Sequence, residues 1–233
     1  NFTPLTRTKW KLASRTDKGV HAACAAASCK LETLDEDVVL TPSAEQGGVP
    51  DWQLSTDAIA RINARLPPDV RMFSAGRVRK SFSAHEHASS RTYEYLVPES
   101  VLQGATPDQL DEVLRIFEGT HRMHNFASGL RQPPGLVYTA GEDEWPLAID
   151  PGPRQNAVYR SVLRCRIHRS VSIEGTPYLV LRISGLAFVL HQIRHMVGTA
   201  LAVTLGAVPR DAMLTALSTP LQVGWARRMG PSP

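Results

Sequence analysis

Residues 13–23 read ASRTDKGVHAA, a stretch in which Arg15 and Asp17 stand just ahead of Gly19. A carboxylate there has two uses. Asp-Lys-Gly is ordinary turn chemistry, with the aspartate tolerating the bend and Gly19 supplying positive φ. It also puts a carboxylate at the entrance to residues 20–28, an apolar run of alanine and cysteine expected to be buried, and such strand ends are where sites are built. Tyr93 and Arg194, from two other elements, are the remaining candidates for chemistry. Tyr93 has the competing reading of a core aromatic with a satisfied hydroxyl, and Arg194 that of a helix-surface cation. Arg194 is the odd one, because it sits between Ile193 and Met196 in a mostly apolar segment. A guanidinium in that setting snorkels or pairs with a carboxylate. Asp17 is the partner of choice.

Eight histidines invite a metal reading. His191 and His195 are one helical turn apart, but Gln-Ile-Arg lies between them, so the HExxH pattern is absent. HEH (85–87) and HRMH (121–124) lack cysteine or carboxylate partners at ligand spacing. No metal is expected, and no Walker loop, GxGxxG or GxSxG elbow is present.

The elements that must position these groups follow from pattern. Residues 22–31 and 70–78 read as strands. A helix capped by Ser55 or Thr56 carries Ile59, Ile62 and Leu66 and stops at Pro67-Pro68. SSRTYEYLV (89–97) reads as a strand with Tyr93, Tyr95 and Val97 on one side. Thr106 caps a helix opened by Pro107, with Leu110, Val113, Leu114 and Phe117 on its stripe. In SVLRCRIHRS (161–170), Leu163, Cys165 and Ile167 oppose Arg164, Arg166 and His168. In PYLVLRIS (177–184), Leu179, Leu181 and Ile183 oppose Tyr178, Val180 and Arg182. One aliphatic face and one Arg/His/Tyr face imply helices behind the sheet and something anionic in front. FVLHQIRHMVGTALAVTL (188–205) has helical spacing, and residues 131–157 read as a Pro/Gly-rich acidic surface excursion. The whole reads as α+β.

Charge is segregated along the chain. Residues 1–30 hold six Lys/Arg against Asp17 alone, and residues 154–194 hold seven arginines against Glu174, while residues 99–150 hold nine acids against three arginines. Segregated basic blocks favour a phosphate-binding surface over plain solvated faces. The odd set Cys24, Cys29 and Cys165, without CxxC, points to a reducing, intracellular compartment, with nucleus, cytosol and organelle not distinguished. Cys24 and Cys29 are expected to be small core residues. The longest apolar stretch, 196–208, is too short to span a bilayer, so no membrane partner is expected.

RTDKGVHA (15–22) closely resembles the active-site motif of TruA-type tRNA pseudouridine synthases. INARLPPDVRMFSAGRV (62–78), FSAHEHASSRTYEYLV (82–97), GTHRMHNF (119–126) and HQIRHMVG (191–198) follow in the family's order, and the last two look closest to its eukaryotic branch. The resemblance implies the pseudouridine synthase fold: two sheet-containing α+β halves, helices on the outer faces and a basic RNA-binding cleft between them. The halves are placed at 1–88, with the RTDKGVHA loop, and 89–233, with the tyrosine strand and the HQIRHMVG helix. It implies isomerisation of uridine to pseudouridine, most of all in tRNA, without a cofactor. Asp17 would act on the ribose, Tyr93 would stack on the extruded base, and Arg194 would hold Asp17 ionised. Arg15 would enter the RNA helix, with Lys18, His21, Arg91, Arg164, Arg166, His168 and Arg182 as further RNA-binding candidates. The family's opening strand and its usual Pro-x-Gly-Leu segment near the C-terminus have no counterpart here, so either the sequence is partial or those elements are lost. That motivates the alternative of an inactive RNA-binding or ribonucleoprotein subunit, with the oligomeric state left open.

Overall fold

The computed structural model describes residues 8–41, 51–128 and 159–218. The expected excursion at 131–157 and the C-terminal stretch lie outside the described residues. The chain is a mixed helix-and-sheet protein that clusters into two compact units, Asn1–Ala88 and Ser89–Pro233.

In the first unit, β1 (Lys11–Leu12) pairs antiparallel with β2 (Ala27–Ser28), and the RTDKGVHA loop hangs between them. The longer strand expected over 22–31 does not form. Alanine and cysteine offer little side chain to bury, and residues 20–27 are exposed. Cys24 is exposed and Cys29 half-buried, so the expectation that both are core residues fails, whereas Cys165 is buried. A second antiparallel pair, β3 (Val38–Thr41) and β4 (Asp51–Leu54), precedes α1 (Thr56–Asn63). The Ser55 hydroxyl accepts the Ala58 N–H at 3.2 Å, an N-cap that satisfies one orphan donor of the first turn. α1 ends before Leu66, in the turn that leads to Pro67-Pro68. Residues 70–78 form no strand and meet the sheet only at a single bridge, Gln53 to Gly76. α2 (Ala84–His87) is one turn long, and the His87 ring accepts the Ser83 N–H through Nδ1 at 3.1 Å.

The second unit is built on one antiparallel sheet in the order β5 (Arg91–Pro98), β8 (Thr176–Gly185), β7 (Tyr159–Ile173), β6 (Gly119–Arg122). α3 (Pro107–Arg115) opens with a full capping box, Thr106 N–H to Gln109 Oε1 at 2.8 Å and Gln109 N–H to Thr106 Oγ1 at 3.3 Å. α4 (Gln192–Thr204) and α5 (Arg210–Ser218) follow β8. Leu110, Leu114 and Phe117 from the α3 segment, Leu179, Leu181 and Ile183 from β8, and Met196 and Ala200 from α4 are all buried in one core. Phe117 meets Phe126 edge-on at 5.2 Å.

Register divides the sheet into two faces. Tyr93 pairs with Ile183 and Tyr95 with Leu181, whereas Glu94 pairs with Arg182. Odd positions of β5 therefore face the helices and even positions face away. β7 departs from simple alternation, because its register slips between Val162 and Arg164 and again between Ile167 and Arg169. Each slip adds one residue to the strand. The first puts Val162 in the core and leaves Leu163 exposed, correcting the core position expected for Leu163.

β6 covers β7 only from Tyr159 to Val162, which leaves part of the β7 edge unpaired. Two carboxylates complete it: Glu118 Oε1 accepts the Cys165 N–H at 2.9 Å, and Asp111 Oδ1 accepts the Ile167 N–H at 2.7 Å. Each satisfies a backbone donor that a further strand would otherwise take, and the charge discourages edge-to-edge pairing. Arg166 holds Glu118 with two bonds, at 2.7 and 2.8 Å.

On the face turned from the helices, Glu94 accepts two bonds from Arg169, both at 3.1 Å, and one from Arg182 at 2.6 Å. Those arginine hydrogen bonds lower the Glu94 pKa from its ordinary 4.5 to about 2. A depressed carboxylate stabilises the fold above its unfolded value and loses that contribution as the pH falls toward the folded one. In urea titrations, the gap between wild type and Glu94→Gln should be widest above pH 4.5 and close toward pH 2. A gap that stays constant through that window would show that Glu94 does not carry the linkage.

Candidate active site

The RTDKGVHA loop is closed at its base where the Ala13 N–H meets the Ala26 carbonyl at 2.9 Å, directly beyond the β1–β2 pair. Its tip is a tight turn in which the Asp17 carbonyl accepts the Val20 N–H at 3.0 Å and Gly19 takes φ 80°. Positive φ at the third turn position is the geometry that asks for glycine. Asp17 is half-buried, while Arg15, Lys18 and His21 are exposed on the same loop. The first unit thus presents one carboxylate among basic side chains on a short, pinned loop.

The second unit holds Tyr93 by a close approach. The Tyr93 and Phe188 rings meet edge to face, with centroids 5.4 Å apart and planes at 90°. Phe188 reaches that position by lying over Gly185. A Cβ at residue 185 would stand 2.7 Å from Phe188 Cζ and 2.8 Å from the Ser161 carbonyl oxygen, closer than such contacts allow. Gly185 pairs with Arg91 at the start of β5, and Arg91 donates to the Leu186 carbonyl at 2.6 Å. Tyr93, Phe188 and Arg91 therefore gather where β8 ends, and the next turn leads into α4.

The entry to α4 is tied down by one hydroxyl. Ser128 Oγ lies 3.0 Å from His191 Nδ1 and 3.1 Å from His195 Nε2, and the Ser128 N–H donates to the Leu190 carbonyl at 2.9 Å. A hydroxyl has one proton to give, so it donates to at most one of the two rings. His191 takes φ 59° at the N-cap, a left-handed conformation uncommon outside glycine. Arg194, half-buried, sits in the turn that these contacts fix. Among the described residues no group of three or more His, Cys, Asp or Glu side chains forms a metal site.

The proposed RNA-binding set does not share one surface. Arg91 lies on the Tyr93 face of the sheet, and Arg164, Arg166 and Arg182 lie on the opposite face. His168 is the extra residue of the second β7 bulge and is exposed. Sequence reasoning missed Phe188, Gly185 and Ser128. Their roles depend on contacts between elements, and only a small residue two positions after Ile183, the last apolar position of the strand, hinted at Gly185.

A family model described as tRNA pseudouridine synthase matches residues 148–231. The mouse Pseudouridylate synthase 1 homolog is 26% identical over 225 residues, covering 91% of this chain and 43% of that protein. Over these stretches the chain is similar in sequence to tRNA pseudouridine synthases. The tRNA pseudouridine(27/28) synthase of Saccharomyces cerevisiae is 39% identical over 92 residues, 40% of this chain and 19% of that protein. The tRNA pseudouridine synthase A of Shewanella amazonensis is 29% identical over 208 residues, 88% of this chain and 66% of that protein. The chain thus spans less than half the length of the mammalian synthases, and the synthase-family match includes all of α4 and its Arg194. All three relatives carry the name of a synthase.

Replacing Gly185 with alanine should drive Phe188 off Tyr93 and destabilise the second unit by about 1–3 kcal/mol, the usual cost of overpacking. Urea denaturation measures the loss, and an unchanged midpoint would mean that the close approach is dispensable.

Proposed function

We propose that the protein isomerises uridine to pseudouridine in RNA, with tRNA as its substrate class. The reading is carried by one combination: similarity to tRNA pseudouridine synthases together with a tyrosine ring held edge-on by Phe188 where β8 leads into α4. The reaction breaks the N1–C1′ bond and forms a C5–C1′ bond in the same nucleotide. No atom is gained or lost and no electron changes hands, so the balance requires neither oxidant nor co-substrate.

Three residues take the chemical roles. Asp17 is the carboxylate that acts on the ribose, as nucleophile at C1′ or as base toward a ribose proton. Tyr93 supplies an aromatic surface for the extruded base and a hydroxyl able to help move the C5 proton. Arg194 supplies the counter-charge that favours an ionised carboxylate. Extruding the nucleotide costs about a few kcal/mol, which stacking on an aromatic ring, at roughly 1–3 kcal/mol, partly offsets. Arg15, Lys18 and His21, exposed beside Asp17, and Arg91, on the Tyr93 face, are assigned to the RNA near the target nucleotide. The two α+β halves, 1–88 with the aspartate loop and 89–233 with the tyrosine strand, are the parts of one synthase. A basic RNA-binding cleft and an intracellular setting complete the proposal.

Asp17→Asn tests it. The variant keeps the turn and its backbone bond but loses the charge, so pseudouridine formation in a tRNA transcript should fall by at least about a hundredfold. RNA binding should persist. Turnover at the wild-type rate would remove Asp17 from the chemistry, and absence of any isomerisation by the wild-type protein would remove the function itself.

A further inference from the structure

The start of α4 lacks the usual N-cap. His191 occupies that position, and its side chain makes no capping bond to the first turn. Its φ of 59° is a conformation that persists in a residue other than glycine only where the surroundings impose it. Two side chains impose it here. Gln192, buried, accepts the Val189 N–H through Oε1 at 3.0 Å. Ser128 brings its hydroxyl within 3.0 Å of His191 Nδ1 and 3.1 Å of His195 Nε2, so one oxygen spans both ends of the first helical turn. Arg194 lies within that span.

The chemistry of that oxygen couples the two rings. A serine hydroxyl has one proton to donate and two lone pairs with which to accept. Among the described residues this hydroxyl has no third partner, so its proton is used only when one of the two rings accepts it. With both rings neutral, two arrangements make both bonds. In the first, the hydroxyl donates to His191 Nδ1 and the His195 Nε2–H donates to the hydroxyl oxygen. Each ring then carries its proton on Nε2. In the second, the His191 Nδ1–H donates to the oxygen and the hydroxyl donates to His195 Nε2. Each ring then carries its proton on Nδ1. Either way the two histidines share one tautomer, and a change in one requires the same change in the other.

We propose that Ser128 is a positioning residue, whose hydroxyl locks His191 and His195 into a common tautomer and thereby holds the first turn of α4, with Arg194 on it, in one orientation. The inference rests on the synthase reading, in which Arg194 supplies the counter-charge to Asp17, and adds the residue that aims its guanidinium. Ser128 acts through α4 and not on the substrate. Its effect on turnover is nonetheless large, because misplacing a working group by about 1 Å costs up to about a hundredfold in rate.

Nitrogen-15 spectra of the full wild-type chain at about pH 8, where ordinary histidines are neutral, should show His191 and His195 protonated at the same ring nitrogen. Ser128→Ala removes the hydroxyl but keeps the backbone bond from residue 128 to Leu190. Both ring signals and the Arg194 Nε–H resonance should move in that variant. Its kcat on a tRNA transcript should fall roughly ten- to a hundredfold with KM changed less than about twofold, the pattern of an interaction that serves the transition state. Ser128→Thr, which restores a hydroxyl, should recover most of the rate. Different tautomers in the wild type, an unmoved Arg194 resonance in Ser128→Ala, or a kcat in that variant equal to that of an active wild type overturns the inference. If the wild type does not isomerise uridine, the enzyme reading fails, and the ring and guanidinium signals still decide the role of Ser128.

Discussion

A single register relationship governs the second unit: Tyr93 stands opposite Ile183, and Glu94 opposite Arg182. Because side chains alternate across a strand, a slip of one residue would carry Tyr93 to the charged face and bury Glu94 among leucines. Burying an ionised carboxylate without its partners costs several kcal/mol, so the register is enforced by penalty as well as by packing. The aliphatic positions of β8 seat the helices. The alternate positions hold an ion-pair lattice whose members are each fixed by a neighbour. The aromatic ring and the arginine face are thereby assigned to opposite sides of one sheet.

That division gives the molecule two chemically different surfaces. On one, Phe188 approaches the sheet over Gly185 and stands edge-on to Tyr93, and Ser128 links His191 to His195 at the start of α4. These contacts limit how the ring and the first turn of the helix can move. On the other, arginines outnumber carboxylates and stay partly open to solvent.

Much of this was legible before any coordinates. β5 alternates strongly, and the structure places Tyr93, Tyr95 and Val97 together as that alternation requires. Thr106, Pro107 and Gln109 announce the start of α3 chemically. The Asp-Lys-Gly turn was readable because only Gly19 tolerates its backbone angle at no cost. Other features were not. The alanine–cysteine run after the turn has composition without periodicity, and its expected strand reduces to two residues. The bulges of β7 break alternation where the sequence continues it, which is why Leu163 was misplaced. β6, with four residues and no pattern, is defined only by its pairing with β7. Phe188 and Ser128 matter through neighbours distant in the chain, and no local signal encodes that.

Photocrosslinking bears most directly on the two-sided sheet. A tRNA transcript with a photoreactive uridine at the modified position should crosslink, on mass-spectrometric mapping, to peptides containing Tyr93 or Phe188. Crosslinks from the target uridine to Arg164 or Arg169, with Tyr93 and Phe188 silent, would contradict the account.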